Sequence, residues 1–200
     1  MNMIRIDNTT RILSFLLRNR EQYNINQIAR ALDLSVGSAH KILKTLEENS
    51  VINAKELGNA KYYSLNFENH EALKYCELIL TEEKNNLLKE NKTAKVYAQD
   101  LERYNAEIII LFGSVLSKEE QARDIDVLFI IKNKKEIKDI NKLCLEISKI
   151  RTKKINPLIM LKEDLTQNIK NKNKATIEII KNGIVLKGEE NFVKSIKNAR

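Results

Sequence analysis

Apolar residues in the first fifty positions recur three and four apart. Ile12, Leu13, Phe15, Leu16 and Leu17 predict an amphipathic helix capped by Asn8 or Thr9. A short helix over 26–32, capped by Asn26, then a turn through Asp33-Leu34 lead to a longer helix capped by Ser35. Ala29 permits close helix approach there, and Val36, Ala39, Ile42, Leu43 and Leu46 are expected in the core. The pattern then shortens, and 51–57 and 61–65 predict two strands around Gly58-Asn59-Ala60. Of the adjacent Tyr62 and Tyr63, one is expected to face the core.

Helical spacing returns over 71–91 and 95–104. Leu73, Cys76, Ile79, Leu80, Leu87 and Leu88 form a partial stripe that either packs on a neighbouring domain or makes a seam with a second copy, a homodimer. Further on, strands are expected at 107–112, 125–131, 155–161 and 184–187. They are interleaved with a helix over 135–152, a helical region ending near 182 and a last helix. Pro157, the single proline, places the third of these strands at a sheet edge or a bulge. Glu163 and Asp164 are placed to cap the helix that follows. The expected layout is an N-terminal α+β domain over 1–68, a helical linker over 69–104, and an α/β domain with a mixed sheet over 105–200.

Composition adds limits. With 42% hydrophobic and 31% charged residues the chain is ordinary globular protein and not a disordered one. No apolar run is long enough to span a membrane, and Arg5, Asp7 and Arg11 interrupt any signal peptide, so a cytoplasmic location and no membrane partner are expected. Cys76 and Cys144 stand far apart without companions and are expected as buried thiols, not zinc ligands or a disulfide. The net charge of +8 is uneven. Residues 1–68 carry nine Lys/Arg against seven Asp/Glu, residues 69–104 six against seven, and residues 105–200 twenty against thirteen. The lysines of 132–154 are either the solvated face of a helix or a surface for a phosphate-rich partner.

Chemistry concentrates at one place. The run Ile108-Ile109-Ile110-Leu111-Phe112 stops at Gly113-Ser114, and after nine intervening residues Asp124-Ile125-Asp126 opens a second run, Val127-Leu128-Phe129-Ile130-Ile131. On a strand, residues two apart share a face, so Asp124 and Asp126 project together while Ile125 enters the core. Paired carboxylates suit a hard cation such as Mg2+, which is commonly completed by substrate phosphates. Gly113 lets the backbone come close to a phosphate, and Ser114 adds a hydroxyl donor.

Gly113-Ser114 and the spaced Asp124-Ile125-Asp126 resemble the signature of the DNA polymerase beta-type nucleotidyltransferases, especially their minimal members, and the resemblance extends over about 95–190. It implies a nucleoside triphosphate whose phosphates sit on Gly113 and Ser114, with Mg2+ on catalytic Asp124 and Asp126. Two departures stand out. Asn156 occupies the place where those domains usually carry a third carboxylate, and the loop over 115–123 lacks their usual glycine and serine, with Arg123 in the serine's place. Asn offers a neutral oxygen and cannot take a proton from an attacking hydroxyl.

Residues 5–67 resemble the winged-helix domains of transcription regulators. That similarity implies double-stranded DNA as partner, with Gly37, Ser38, His40, Lys41 and Lys44 in the major groove and Lys55, Asn59 and Lys61 of the wing at phosphate. His40 has no companion at ligand spacing and is expected as a surface or groove contact. The expectation is a DNA-binding transcriptional regulator whose nucleotidyltransferase-fold domain binds a nucleoside triphosphate and Mg2+ with weakened catalysis. The alternative is an active nucleotidyltransferase placing a nucleoside monophosphate on a protein, RNA or small hydroxyl acceptor.

Overall fold

A computed structural model describes residues 7–19 and 21–199. The chain divides into two compact units, one ending at Ile79 and the other starting at Leu80.

In the first unit, helix α1 (Asn8–Arg18) buries Ile12, Leu13, Leu16 and Leu17 on one stripe. Its cap is Asp7, whose carboxylate accepts from the Thr10 N–H at 2.8 Å, and not Asn8 or Thr9, which already lie inside the first turn or open it. Strand β1 (Tyr23–Asn24) runs directly into helix α2 (Ile25–Ala31). Asn24 caps α2 reciprocally: its side chain accepts from the Gln27 N–H at 3.0 Å, and the Gln27 side chain accepts from the Asn24 N–H at 2.8 Å. This displaces the expected Asn26 cap by two residues, because the box needs Gln three positions on. The turn after α2 passes through Asp33, which adopts a left-handed φ of 50°. Helix α3 (Val36–Glu48) follows, with Ser35 capping the Ser38 N–H at 3.1 Å as expected.

Ala39, Leu43 and Leu46 of α3 are buried and Ile42 is half-buried, but Val36 is 49% exposed and leaves the expected core set. It occupies the first position of the helix, before the buried stripe begins. Strands β2 (Ile52–Leu57) and β3 (Ala60–Leu65) form an antiparallel hairpin around Gly58-Asn59, and β1 adds to the other side of β3. Tyr63 is the wing tyrosine that turns inward, while Tyr62 is half-exposed. Three helices and a hairpin on a small sheet make this unit a winged helix.

Helix α4 (His70–Glu90) buries Cys76, Ile79 and Leu80 within the chain, so the exposed apolar residues on it are Tyr75 and Leu78. In the second unit, helix α5 (Lys92–Leu101) precedes a four-stranded mixed sheet. Strands β4 (Ile108–Phe112) and β5 (Asp124–Ile131) are antiparallel. Strand β6 (Lys154–Leu161) is parallel to β5 and is reached through helix α6 (Glu136–Ile150), while β7 (Ile184–Lys187) returns antiparallel beside β4. Pro157 thus lies on an edge strand, where its missing N–H is tolerated.

Helices α7 (Lys162–Lys170) and α8 (Lys174–Asn182) divide the region expected to be helical, and α9 (Glu189–Asn198) closes the unit. Asp164 serves the start of α7, its carboxylate accepting from the Leu161 N–H at 3.3 Å. One face of the sheet presents Ile109, Leu111, Ile125, Val127, Phe129, Ile131 and Ile155. Ala94, Tyr97, Ala98 and Leu101 of α5 and Ile140, Cys144 and Ile147 of α6 join them in one core. The other residues of β4 and β5 point to the opposite face, and that alternation delivers the aspartates.

Candidate functional site

Asp124, Asp126, Asn156 and Phe112 share one sheet face. Asp126 is the register partner of Phe112 on β4 and of Asn156 on β6, while Asp124 is opposite Lys154. The expected in-and-out alternation is present: Ile125 is fully buried and both aspartates are half-buried. Asn156 donates its amide N–H to Asp126 Oδ1 at 2.9 Å. The residue expected in place of a third carboxylate therefore stands beside Asp126. Among the described residues no group of three or more His, Cys, Asp or Glu is placed to hold a metal ion, and Asp124's carboxylate has no partner.

Gly113 ends β4 at φ 81° and ψ −159°, a conformation adopted essentially by glycine alone. A Cβ here would sit 2.3 Å from Asp126 Oδ2, so the backbone of the turn lies directly against the carboxylate. The turn then tightens into a short 3-10 segment (Ser114–Leu116), and the Ser114 carbonyl accepts from the Ser117 and Lys118 N–H groups at 3.2 and 2.8 Å. Gly113 and Ser114 are exposed. The structure thus sets the glycine turn against Asp126, with Asp124 two residues along the same strand face.

Two residues that the sequence reading passed over hold this loop. Asn91, 7% exposed, caps α5 by accepting from the Ala94 N–H at 2.7 Å, and donates its own amide to the Val115 carbonyl at 2.7 Å. Glu119 accepts from the Thr93 N–H at 2.6 Å, and that hydrogen bond holds its carboxyl below the usual glutamate value. The loop is pinned at two points, Val115 and Glu119, to the start of α5. An Asn interrupting two helical stretches was the available signal for the first. Nothing local marks Glu119.

On α3, Gly37, His40, Lys41 and Lys44 are exposed along one stripe with Val36, Thr45 and Glu48, while Ser38 is half-buried. Lys44 lies 3.8 Å from Glu48, both side chains open to solvent. On the hairpin, Lys55 and Asn59 are exposed. Lys61 is bound to Glu47 of α3 at 2.6 Å, an interaction whose hydrogen bond raises the pKa of its ammonium group. Of the three wing residues named from sequence, Lys61 is therefore engaged within the domain. Cys144 is buried, and desolvation pushes its thiol up to about 11. No described helix is long and apolar enough to cross a membrane.

These features define a regulator-type helix-turn-helix unit joined to a nucleotidyltransferase-fold unit. A family model described as polymerase beta, nucleotidyltransferase matches residues 91–191, half of the chain, and the chain belongs to that family. The model of the IclR helix-turn-helix domain matches residues 6–53. No curated protein matches the chain.

Among solved structures the chain is similar to a single-site mutant of ZitR from Lactococcus lactis, at 16% identity over 75% of this chain and 78% of that one, with a TM-score of 0.35. It is also similar to the adhesin competence repressor AdcR of Streptococcus pyogenes, at 16% identity over 75% and 83%, with a TM-score of 0.33.

Proposed function

We propose that this protein is a DNA-binding transcriptional regulator whose nucleotidyltransferase-fold unit binds a nucleoside triphosphate with a divalent cation and transfers from it slowly or not at all. The observation that carries this reading is the Asn156 amide donating to Asp126. The donors fit a hard cation: Asp124 has acceptor oxygens without a partner among the described residues, and Asp126 Oδ2 faces the glycine turn. Asp124 and Asp126 would hold Mg2+, with Gly113 and Ser114 at the phosphates. The cation would offset phosphate charge there. Asn156 supplies no negative charge and no base, so the loss falls on the rate of transfer more than on binding. The retained pair of aspartates favours the second reading, an active enzyme that modifies a protein, RNA or small hydroxyl acceptor.

Equilibrium dialysis with labelled nucleoside triphosphates and Mg2+, beside a transfer assay with the α-phosphate labelled, separates the two. Binding is expected in the wild type and in Asn156→Asp, and is lost in the Asp124→Ala/Asp126→Ala double variant. Transfer is expected to rise in Asn156→Asp. Transfer by the wild type as fast as by Asn156→Asp establishes the second reading, and no nucleotide binding defeats both.

For DNA, the exposed stripe of Gly37, His40, Lys41 and Lys44 supports α3 as the groove-reading helix. Affinity for duplex DNA is expected to fall as salt rises. Lys41→Ala and Lys44→Ala should each weaken binding and, where the lysine meets a phosphate, flatten the salt slope by about one. Unchanged affinity in both variants rejects this assignment of α3.

A further inference from the structure

The Gly113 turn also borders a cavity of about 460 Å³. Phe112, Gly113, Leu116 and Ser117 line one side, and Glu178 and Asn182 of α8 line the other. Phe112 is the register partner of Asp126, so the cavity opens on the sheet face that carries the aspartates. Its size falls within the roughly 300–1,000 Å³ of small-molecule sites. Its polar chemistry is one-sided. Asn182 donates its side-chain amide to Glu178 Oε1 at 2.5 Å, one helical turn away, which fixes the direction of the carboxylate. A carboxylate only accepts, and it has about four lone-pair positions, so Glu178 can still take two further donors.

We propose that this cavity seats the base of the bound nucleotide and that Glu178, oriented by Asn182, selects guanine. The inference rests on the nucleotide-binding reading above. Guanine is the base that offers two adjacent donors, the ring N1–H and the 2-amino group, to one carboxylate. Adenine and cytosine each set a ring acceptor beside their amine, which would meet the lone pairs of Glu178. Uracil offers one N–H between two carbonyls. Phe112 and Leu116 give the ring an aromatic and an apolar surface. Glu178 and Asn182 are exposed, so changing them leaves the core of the unit intact.

The test measures dissociation constants of the full chain with Mg2+ for GTP, ATP, CTP and UTP, together with inosine triphosphate, which lacks the 2-amino group, and 2′,3′-dideoxy-GTP. GTP is expected to bind about 10- to 100-fold tighter than ATP, the size of a hydrogen bond to a charged group, with inosine triphosphate between them. Glu178→Gln should erase or reverse that preference, weakening GTP and tightening ATP, because the new amide N–H can donate to the adenine ring acceptor that the carboxylate opposes, and Asn182→Ala should reduce the preference. Equal affinities for all four bases overturn the inference and leave the nucleotide-binding reading standing. A Glu178→Gln variant that weakens every nucleotide alike, with dideoxy-GTP weakened in the wild type, assigns the carboxylate to the ribose hydroxyls and also overturns it. If no nucleotide binds, the underlying reading fails and the inference with it.

Discussion

Replacing Gly113 by alanine tests the contact on which the site is built. An alanine at φ 81° and ψ −159° costs about 1–3 kcal/mol in backbone strain. Its Cβ would also lie 2.3 Å from Asp126 Oδ2 and 3.2 Å from Asp126 Cγ, so the carboxylate must move. Moving it breaks the 2.9 Å bond from Asn156, a further loss of about 1 kcal/mol for a solvent-accessible hydrogen bond. Gly113→Ala should therefore destabilise the second unit by about 2–4 kcal/mol and abolish Mg2+-dependent nucleotide binding together. Gly37 is the control. It lies in the first turn of α3 with nothing within 4 Å of an added Cβ, and Gly37→Ala should be neutral or stabilising by up to about 1 kcal/mol. Urea unfolding followed by circular dichroism, with m-values compared, reads both effects. A Gly113→Ala protein as stable as wild type would refute the close approach of the turn to Asp126.

Asn91→Ala should cost about 2–4 kcal/mol in the same assay. It removes a helix cap worth about 1 kcal/mol and strands the Val115 carbonyl at about 1–3 kcal/mol, whereas Asn91→Ser should recover the cap alone. The carboxyl of Glu119 is held below its ordinary value in the folded state, so its contribution is complete above the unfolded glutamate range and is lost as pH falls through the lower folded value. The stability gap between wild type and Glu119→Gln should accordingly narrow in acid and stay constant near neutrality, as pH-dependent melts would show. Cys144, buried and with its thiol raised to about 11, should resist iodoacetamide at pH 8 in the native protein and react promptly in urea, with mass spectrometry locating the label.

Much of the architecture was legible because periodicity is local. The two strands flanking Gly113 and the aspartates, the hairpin and the helix after Ser35 all announce themselves through spacing and one cap or break. Two caps lie one or two residues before the positions expected, at Asp7 and Asn24. Asn24 and Asn26 are the same residue type, and only the reach of Gln27 back to the Asn24 N–H decides between them. Val36 was expected in the core because it is apolar, but the first turn of α3 lies outside the buried stripe. The hold of Asn91 on Val115 and of Glu119 on Thr93 has no local signal, for a different reason. Their partners lie 24 and 26 positions away, and hydrogen bonds across such distances leave no pattern in a short window.

The choice between the two proposed readings, a nucleotide-binding regulator and an active enzyme, turns on charge. Two neighbouring carboxylates repel unless a cation or a donor lies between them and their surroundings. Asn156 is such a donor: its N–H on Asp126 Oδ1 relieves part of that repulsion in the protein alone, where a third carboxylate would add to it. The pair can then persist side by side before a cation arrives, which favours a site held ready for ligand. The same substitution removes one negative charge from the cation's surroundings and leaves no base on β6 to take a proton from an acceptor. On the function proposed above, a site arranged in this way would gain readiness to bind and lose the means to turn over. Asn156→Asp should therefore move both properties in opposite directions, raising transfer while making the metal-free protein less stable than wild type at neutral pH. Gains in both would show that the amide contact with Asp126 is not what keeps the pair together.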